Sequence, residues 1–187
     1  PTVEMVDDFL GDSKPHAYER LIDRLLASPH YGQRWGRRWL DVVRYGDDHS
    51  NTIHASTFLI AYRYRDWVVN AINEDVPYDE FVKRQLATDK LPQTGADDLP
   101  ALGLIGAGPQ YHKELRLAKP LIQKLVADEW DERVDTLTRG LLGLTVACAR
   151  CHDHKFDPIT QEDYYALAGV MASTKLVDLP MIGGADL

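Results

Sequence analysis

Apolar side chains recur every three or four positions through most of this chain, a spacing that predicts helices almost throughout. Over residues 15–28 the stripe is Tyr18, Leu21, Ile22, Leu25 and Leu26, with Ser13 placed to cap it. Residues 31–45 repeat the pattern with Trp35, Trp39, Val42 and Val43, and set Arg34, Arg37, Arg38 and Arg44 among them. A third helix is predicted over 58–73 (Phe58, Leu59, Tyr62, Trp67, Val69) and a fourth over 78–88 (Phe81, Val82, Leu86), opened by Pro77. Pro92 to Pro100 reads as a polar loop, and residues 101–109 as a short buried segment stopped by Gly106, Gly108 and Pro109. From Leu121 the period returns. Val134, Leu137, Leu141, Leu144 and Cys148 fall on one stripe of a long helix, broken near Gly140 or Gly143, which would deliver Cys148 to the core side. Thr160 with Asp163 has the spacing of a capping box for a last helix carrying Tyr164, Leu167, Ala168 and Met171. The pattern predicts a mostly α protein, an irregular helical bundle forming a single domain over residues 1–187.

Composition changes little in that picture. With 187 residues, 44% hydrophobic and 27% charged, the chain can bury one substantial core. A net charge of −8 and a pI near 5.3 disfavour nucleic acid and anionic membrane surfaces, and suit a basic protein partner. The acidic run Asp128, Glu129, Asp131, Glu132 and Asp135 would be a docking face for that partner or a solvated helix side. No apolar run approaches the roughly 18 residues of a membrane span, and no signal peptide is legible. A chain that begins at Pro1 is expected to be a processed product or a piece of something longer.

The chemistry is concentrated in Cys148-Ala149-Arg150-Cys151-His152. A Cys-x-x-Cys-His run is the pattern by which a c-type haem is held through two thioethers and one axial imidazole. On a helical turn the two cysteines share a face, and His152 can bring its ring under the iron. These are the only two cysteines, so one haem c would use them all. Zinc on Cys148, Cys151, His152 and His154 would crowd four ligands into seven positions, against the usual two well-separated pairs. A thioredoxin-like redox pair would expect a strand-to-helix approach, whereas this one reads as helical. The second axial ligand must come from elsewhere or be absent. His30, just before the Trp35 and Trp39 helix, is the leading distal candidate, against a role in stabilising that turn. His16, His49, His54 and His112 sit in polar stretches, Met171 lies on a core stripe, and Met5 lies near the N-terminus. His154 is too close to His152 to reach the opposite face. Trp35, Trp39, Tyr62, Tyr64 and Trp67 would line a haem pocket or simply pack a core, and Arg34, Arg44 and Arg65 would meet propionates or neighbours such as Asp41 and Asp66.

The segments Ser28-Pro-His-Tyr-Gly-Gln-Arg-Trp35, Arg38-Trp-Leu-Asp-Val-Val-Arg-Tyr45, Tyr64-Arg-Asp-Trp67, Asn73-Glu-Asp-Val-Pro-Tyr-Asp79 and Cys148-Ala-Arg-Cys-His-Asp-His-Lys-Phe-Asp-Pro158 give the chain a specific likeness. From about Pro15 to Thr174 it resembles the planctomycete cytochrome c-like domain family, a domain of unknown function. The resemblance implies an exported bacterial protein, a module of a longer chain with other domains, and haem; it implies no reaction. Arg38 stands where that family's pattern has His, so no role of that histidine carries over. Haem attachment of this kind is completed outside the cytoplasmic membrane, so a periplasmic or otherwise exported location is expected. The expected function is monohaem electron transfer between redox proteins. The alternatives are a peroxidase- or oxidase-like haem enzyme with an open distal site, and a self-associating haem-bearing structural module. No Ser-His-Asp order, Gly-rich phosphate loop or carboxylate pair points to a hydrolase.

Overall fold

The computed structural model describes residues 1–46, 60–92, 94–111 and 116–177, which form eight α-helices with no strand among them. They are α1 (Val3–Gly11), α2 (Ala17–Leu26), α3 (His30–Val42), α4 (Ala61–Asn73), α5 (Tyr78–Ala87), α6 (Gly103–Gly106), α7 (Lys119–Leu137) and α8 (Gln161–Ala172). The mostly α expectation therefore holds. Helix α1 is not among the predicted elements, although Val3, Val6, Phe9 and Leu10 fall at helical spacing; it is opened by the Thr2 hydroxyl, which accepts from the Met5 N–H. Helix α2 is preceded by His16 in the left-handed region (φ 62°), not capped by Ser13. Its apolar stripe, Tyr18, Ile22, Leu25 and Leu26, stays in water rather than joining the core. The capping box of α8 forms as read, with the Asp163 N–H on the Thr160 hydroxyl at 3.1 Å and the Thr160 N–H on the Asp163 carboxylate at 2.8 Å. Phe58 and Leu59, read as the start of the third helix, lie outside the described residues, as do His49, His54 and His112.

Two apolar clusters organise the chain. The first gathers Val43, Tyr64, Val68, Ala71, Phe81, Leu104 and Ala107 from α3 through α6. Helices α3 and α4 approach closely because Gly32 has no side chain: a Cβ there would collide with the Val69 carbonyl and the Asn73 side chain. Its N–H donates to Asn73 Oδ1 at 2.7 Å instead. Inside this cluster the Trp39 indole N–H donates to Tyr64 Oη (3.1 Å) and Gln85 Oε1 (2.9 Å), and Tyr64 donates to the same Gln85 oxygen at 2.7 Å. Trp39, Tyr64 and Trp67 are thus packing residues, while Trp35 and Tyr62 of the same aromatic group remain exposed. The second cluster is Val134, Val146, Ala149, Tyr164, Ala168 and Met171, from α7, α8 and the segment between them. Leu137 packs against both.

The acidic side of α7 is not simply a solvated face, because its carboxylates have internal partners. Asp128 pairs with Lys124 and Arg150, and Asp131 with Arg150 and the Tyr164 hydroxyl. Buried Glu129 accepts the Tyr111 N–H, Glu132 binds Arg44 and Tyr111, and buried Asp135 binds Arg44 and Arg139. Arg44 reaches α7 from just beyond α3, held at φ 57°. Two backbone bonds fix that turn, Tyr45 N–H to Leu40 O and Arg44 N–H to Asp41 O, the pattern of a Schellman cap with arginine where glycine is usual. Arg44 therefore serves α7 rather than Asp41, whereas Arg65 does pair with its neighbour Asp66 at 3.0 Å.

Candidate functional site

The long helix expected to carry Cys148 ends early. Helix α7 stops at Leu137, passes through a π-turn over Thr138–Leu142 and is broken at Gly143, whose φ of 69° suits glycine. A separate 3-10 turn, Val146–Arg150, then carries Cys148, and Cys151 follows as its C-cap. The break near Gly140 or Gly143 is as read; the burial of Cys148 is not. Cys148 and Cys151 are both free and exposed, since Val146 and Ala149 take the inward positions of this tighter turn. Residues three apart eclipse in a 3-10 turn, and Cys148 and Cys151 have that spacing.

The two residues between the cysteines hold the loop. Ala149 is 0% exposed within the second cluster. Arg150 reaches across to α7, with Nη2 on Asp128 at 3.0 Å and Nη1 near Asp131 at 3.4 Å. Its carbonyl accepts from Gln161 Nε2 at 3.0 Å and Tyr165 Oη at 3.2 Å, which ties the same residue to α8. Burial and the Asp131 carboxylate push the Tyr164 hydroxyl well above its ordinary pKa, so it stays a proton donor to Asp131. The Lys124 and Arg150 cations hold the Asp128 carboxyl below its usual range. The spacing of the motif assigns Ala149 and Arg150 no role; the signal that could have found Arg150 is an arginine inside the motif of a chain that also carries an acidic helix.

His152 and His154 play different parts. The His152 ring is exposed, and its Nδ1 lies 2.7 Å from the Asp153 carbonyl oxygen. A carbonyl only accepts, so Nδ1 carries the proton and Nε2 keeps a free lone pair. The Asp153 carboxylate in turn accepts the Gln161 N–H at the start of α8, at 2.8 Å. His154 faces inward and is spent on the loop: Nδ1 accepts the Asp157 N–H at 2.9 Å, and Nε2 meets Thr145 Oγ1 at 2.8 Å. With both nitrogens engaged it is a local structural residue, which removes the fourth ligand of the zinc alternative. Among the described residues no three His, Cys, Asp or Glu side chains converge as a metal-ion site.

His30 lies on the first turn of α3, exposed, with Nδ1 3.0 Å from Gln33 Oε1 and its N–H on Ser28 Oγ. The other end of α3 is the one that nears the π-turn, where Val42 would touch a Cβ placed on Gly140. Twelve residues of helix put His30 about 18 Å along the axis from Val42. The structure thus gathers Cys148, Cys151 and His152 on one loop and leaves His30 in the other half of the fold. Met171 is core, and Met5 and His16 belong to α1 and the turn before α2.

Fold and site together define an all-α protein that displays a Cys-x-x-Cys-His loop on a platform made by its last two long helices. The chain belongs to the family described as PSCyt2, protein of unknown function (DUF1549), whose profile matches residues 1–176. No curated protein and no solved structure matches it.

Proposed function

We propose that this chain is a monohaem c-type cytochrome domain that carries single electrons outside the cytoplasm, with one haem c bonded to Cys148 and Cys151 and His152 as axial ligand. The observation that carries the reading is the state of the loop. Both thiols are exposed and unbridged, and the Nδ1–H of His152 is engaged by the Asp153 carbonyl. A backbone carbonyl on the far nitrogen is the second-shell arrangement that metal-binding imidazoles favour, because it fixes the tautomer and leaves Nε2 for the metal. The residues fit the group. Leu142 and Phe156, which lead into and out of the loop, are 66% and 83% exposed, apolar surface that a porphyrin would take out of water. Each such side chain fully buried favours attachment by about 1.5–3 kcal/mol. Bound haem c supplies a one-electron ferric–ferrous couple. Arg150 and Ala149 fix the loop, and the Asp153 carbonyl holds the imidazole proton on Nδ1. Basic redox proteins, other domains of a longer chain and a periplasmic or otherwise exported setting belong to the same reading.

The test is production in a bacterial host that has its c-type haem maturation system, followed by optical spectra and a pyridine haemochrome. The expected result is a covalent haem with a c-type reduced α-band, lost in the C148A/C151A double variant. His152→Ala should retain the thioethers and give a high-spin spectrum. A wild-type chain that leaves the maturation-competent host without haem overturns the proposal. Carbon monoxide that shifts the reduced spectrum of the wild type replaces the carrier with the open-site haem enzyme.

A further inference from the structure

Away from the cysteine loop, a cleft of about 400 Å³ lies where α3 faces the α4–α5 turn. Its floor is apolar, with Trp39 and Phe81 packed edge to face at 5.0 Å beside Ile72 and Val76. Trp35 and Tyr78 stand at its rim 52% and 61% exposed, a large aromatic surface to leave in water. Arg38 and Asp75 also line it. Among the described residues neither side chain has a hydrogen bond or ion pair, although one is a cation and the other an anion on the same cleft. Arg34, Arg37 and Asp41 of α3 and Glu74 beside Asp75 likewise have no side-chain partner among the described residues, but none of them lines the cleft. Asp75 is held at φ 52° by a Schellman cap, with the Val76 N–H on Ala71 O at 3.0 Å and the Asp75 N–H on Ile72 O at 3.2 Å. Glycine would suit that backbone better, so the carboxylate is kept at a conformational cost.

We propose that this cleft binds a small zwitterion with an apolar side chain, the chemistry of a free aromatic or aliphatic α-amino acid: carboxylate to Arg38, ammonium to Asp75, side chain on the Trp39–Phe81 floor. A cleft with one charge of each sign has no net attraction for a simple anion or cation. Two opposite charges that do not close on each other are matched by a ligand that carries both. The planar guanidinium pairs with a carboxylate in two parallel hydrogen bonds, and the exposed Trp35 and Tyr78 rings cover the side chain from the open side. The cleft belongs to the first cluster and the cysteine loop to the second, so the site is independent of haem.

The experiment is a titration of the full chain with L-phenylalanine, read by tryptophan emission and by amide chemical shifts. Phenethylamine, hydrocinnamate and glucose are the comparison probes. Phenylalanine is expected to bind with a Kd on the order of 1 mM and to shift Trp35 and Trp39 signals. Loss of either ligand charge should weaken binding roughly threefold to tenfold, the strength of a partly exposed ion pair. Arg38→Ala should abolish the preference over phenethylamine, and Asp75→Gly the preference over hydrocinnamate. Both variants alter exposed residues, and glycine suits the backbone at position 75, so both should fold. Equal binding of all three aromatic probes, binding of glucose in preference to phenylalanine, or no binding of phenylalanine at its solubility limit each overturns the proposal.

Discussion

Arg44 offers a separable test of what joins the two halves of the fold. It sits at a left-handed helix end, φ 57°, and bonds Glu132 and the buried Asp135 of α7. Two opposed terms act there. A non-glycine residue in that backbone region costs about 1 kcal/mol relative to glycine. Breaking a buried pair costs about 3–5 kcal/mol when the remaining charge is left alone. Asp135 is not left alone, because Arg139 also grips it with bonds of 2.9–3.1 Å. We therefore take roughly half, about 2 kcal/mol, for losing the Arg44 side chain. Arg44→Ala loses the pair and keeps the backbone penalty, so it should be about 2 kcal/mol less stable than wild type. Arg44→Gly loses the pair but sheds the penalty, so its deficit should be about 1 kcal/mol. Arg44→Lys keeps a charge without the fork and should fall between wild type and alanine. Urea unfolding of the haem-free chain followed by far-UV circular dichroism measures these differences, with an unchanged m-value as the check on two-state behaviour. If glycine is no more stable than alanine, the backbone argument fails. If alanine matches wild type, the Arg44 ion pairs contribute nothing to joining the two halves.

Four further variants test other bonds of the fold. Thr160→Ala removes the capping box of α8 and should cost about 1 kcal/mol by urea unfolding. The Asp163 carboxyl is held below its usual range by the Thr160 N–H and hydroxyl, so its contribution is present at neutral pH and lost as pH falls through the lowered folded value. Asp163→Asn should accordingly flatten the acid limb of a stability-versus-pH curve, and an unchanged limb would show the cap to be idle. Tyr164→Phe strips the hydroxyl donor from Asp131 at a cost of about 1 kcal/mol, and hydrogen exchange in residues 146–152 should quicken as the Arg150 anchor loosens. His154→Ala gives up the Thr145 and Asp157 bonds, about 2 kcal/mol at roughly 1 kcal/mol each. That loss should appear in the haem-free chain by urea unfolding; its appearance only when haem is present would make His154 a ligand after all.

Legibility in the sequence followed how local each cause was. The α8 cap was readable because Thr160 and Asp163 are three residues apart and satisfy each other. Small apolar residues 101–109 read as a buried segment, and Ala101, Leu104 and Ala107 are buried while Gly108 and Pro109 are half-buried. The loop's ligand-type residues were legible from spacing alone, but their exposure was not. The break near Gly140 or Gly143 was legible, but the stripe was carried across it to Cys148, and the π-turn with Gly143 resets the 3.6-residue period before the cysteines arrive. Long-range partners were equally hidden. Nothing near Arg44 in sequence points to Glu132 or Asp135, and the acidic run of α7 reads as surface until the partners from Arg44, Tyr111, Arg150 and Tyr164 are placed against it. That Arg38 and Asp75 line one cleft likewise depends on how α3 lies on α4, which Gly32 governs through the space its missing side chain leaves.

The position of the loop also decides in which order haem and fold depend on each other. Both apolar clusters are closed by protein side chains, and Leu137 links them without any contribution from the cysteines. The loop is held by Ala149 and Arg150, while Cys148, Cys151 and His152 face solvent. Replacing exposed side chains that fill no cavity changes stability by no more than about 0.5 kcal/mol. The C148A/C151A variant, which can hold no covalent haem, should therefore unfold cooperatively at a urea midpoint close to that of the haem-free wild type, with the same far-UV spectrum. Arg150→Ala should do the opposite, lowering stability while leaving all three exposed groups in place, because it removes the contacts to Asp128 and Asp131. If instead the double cysteine variant collapses to a state without a cooperative transition, the thiols are part of the fold. Attachment would then have to precede folding rather than decorate a loop that is already set.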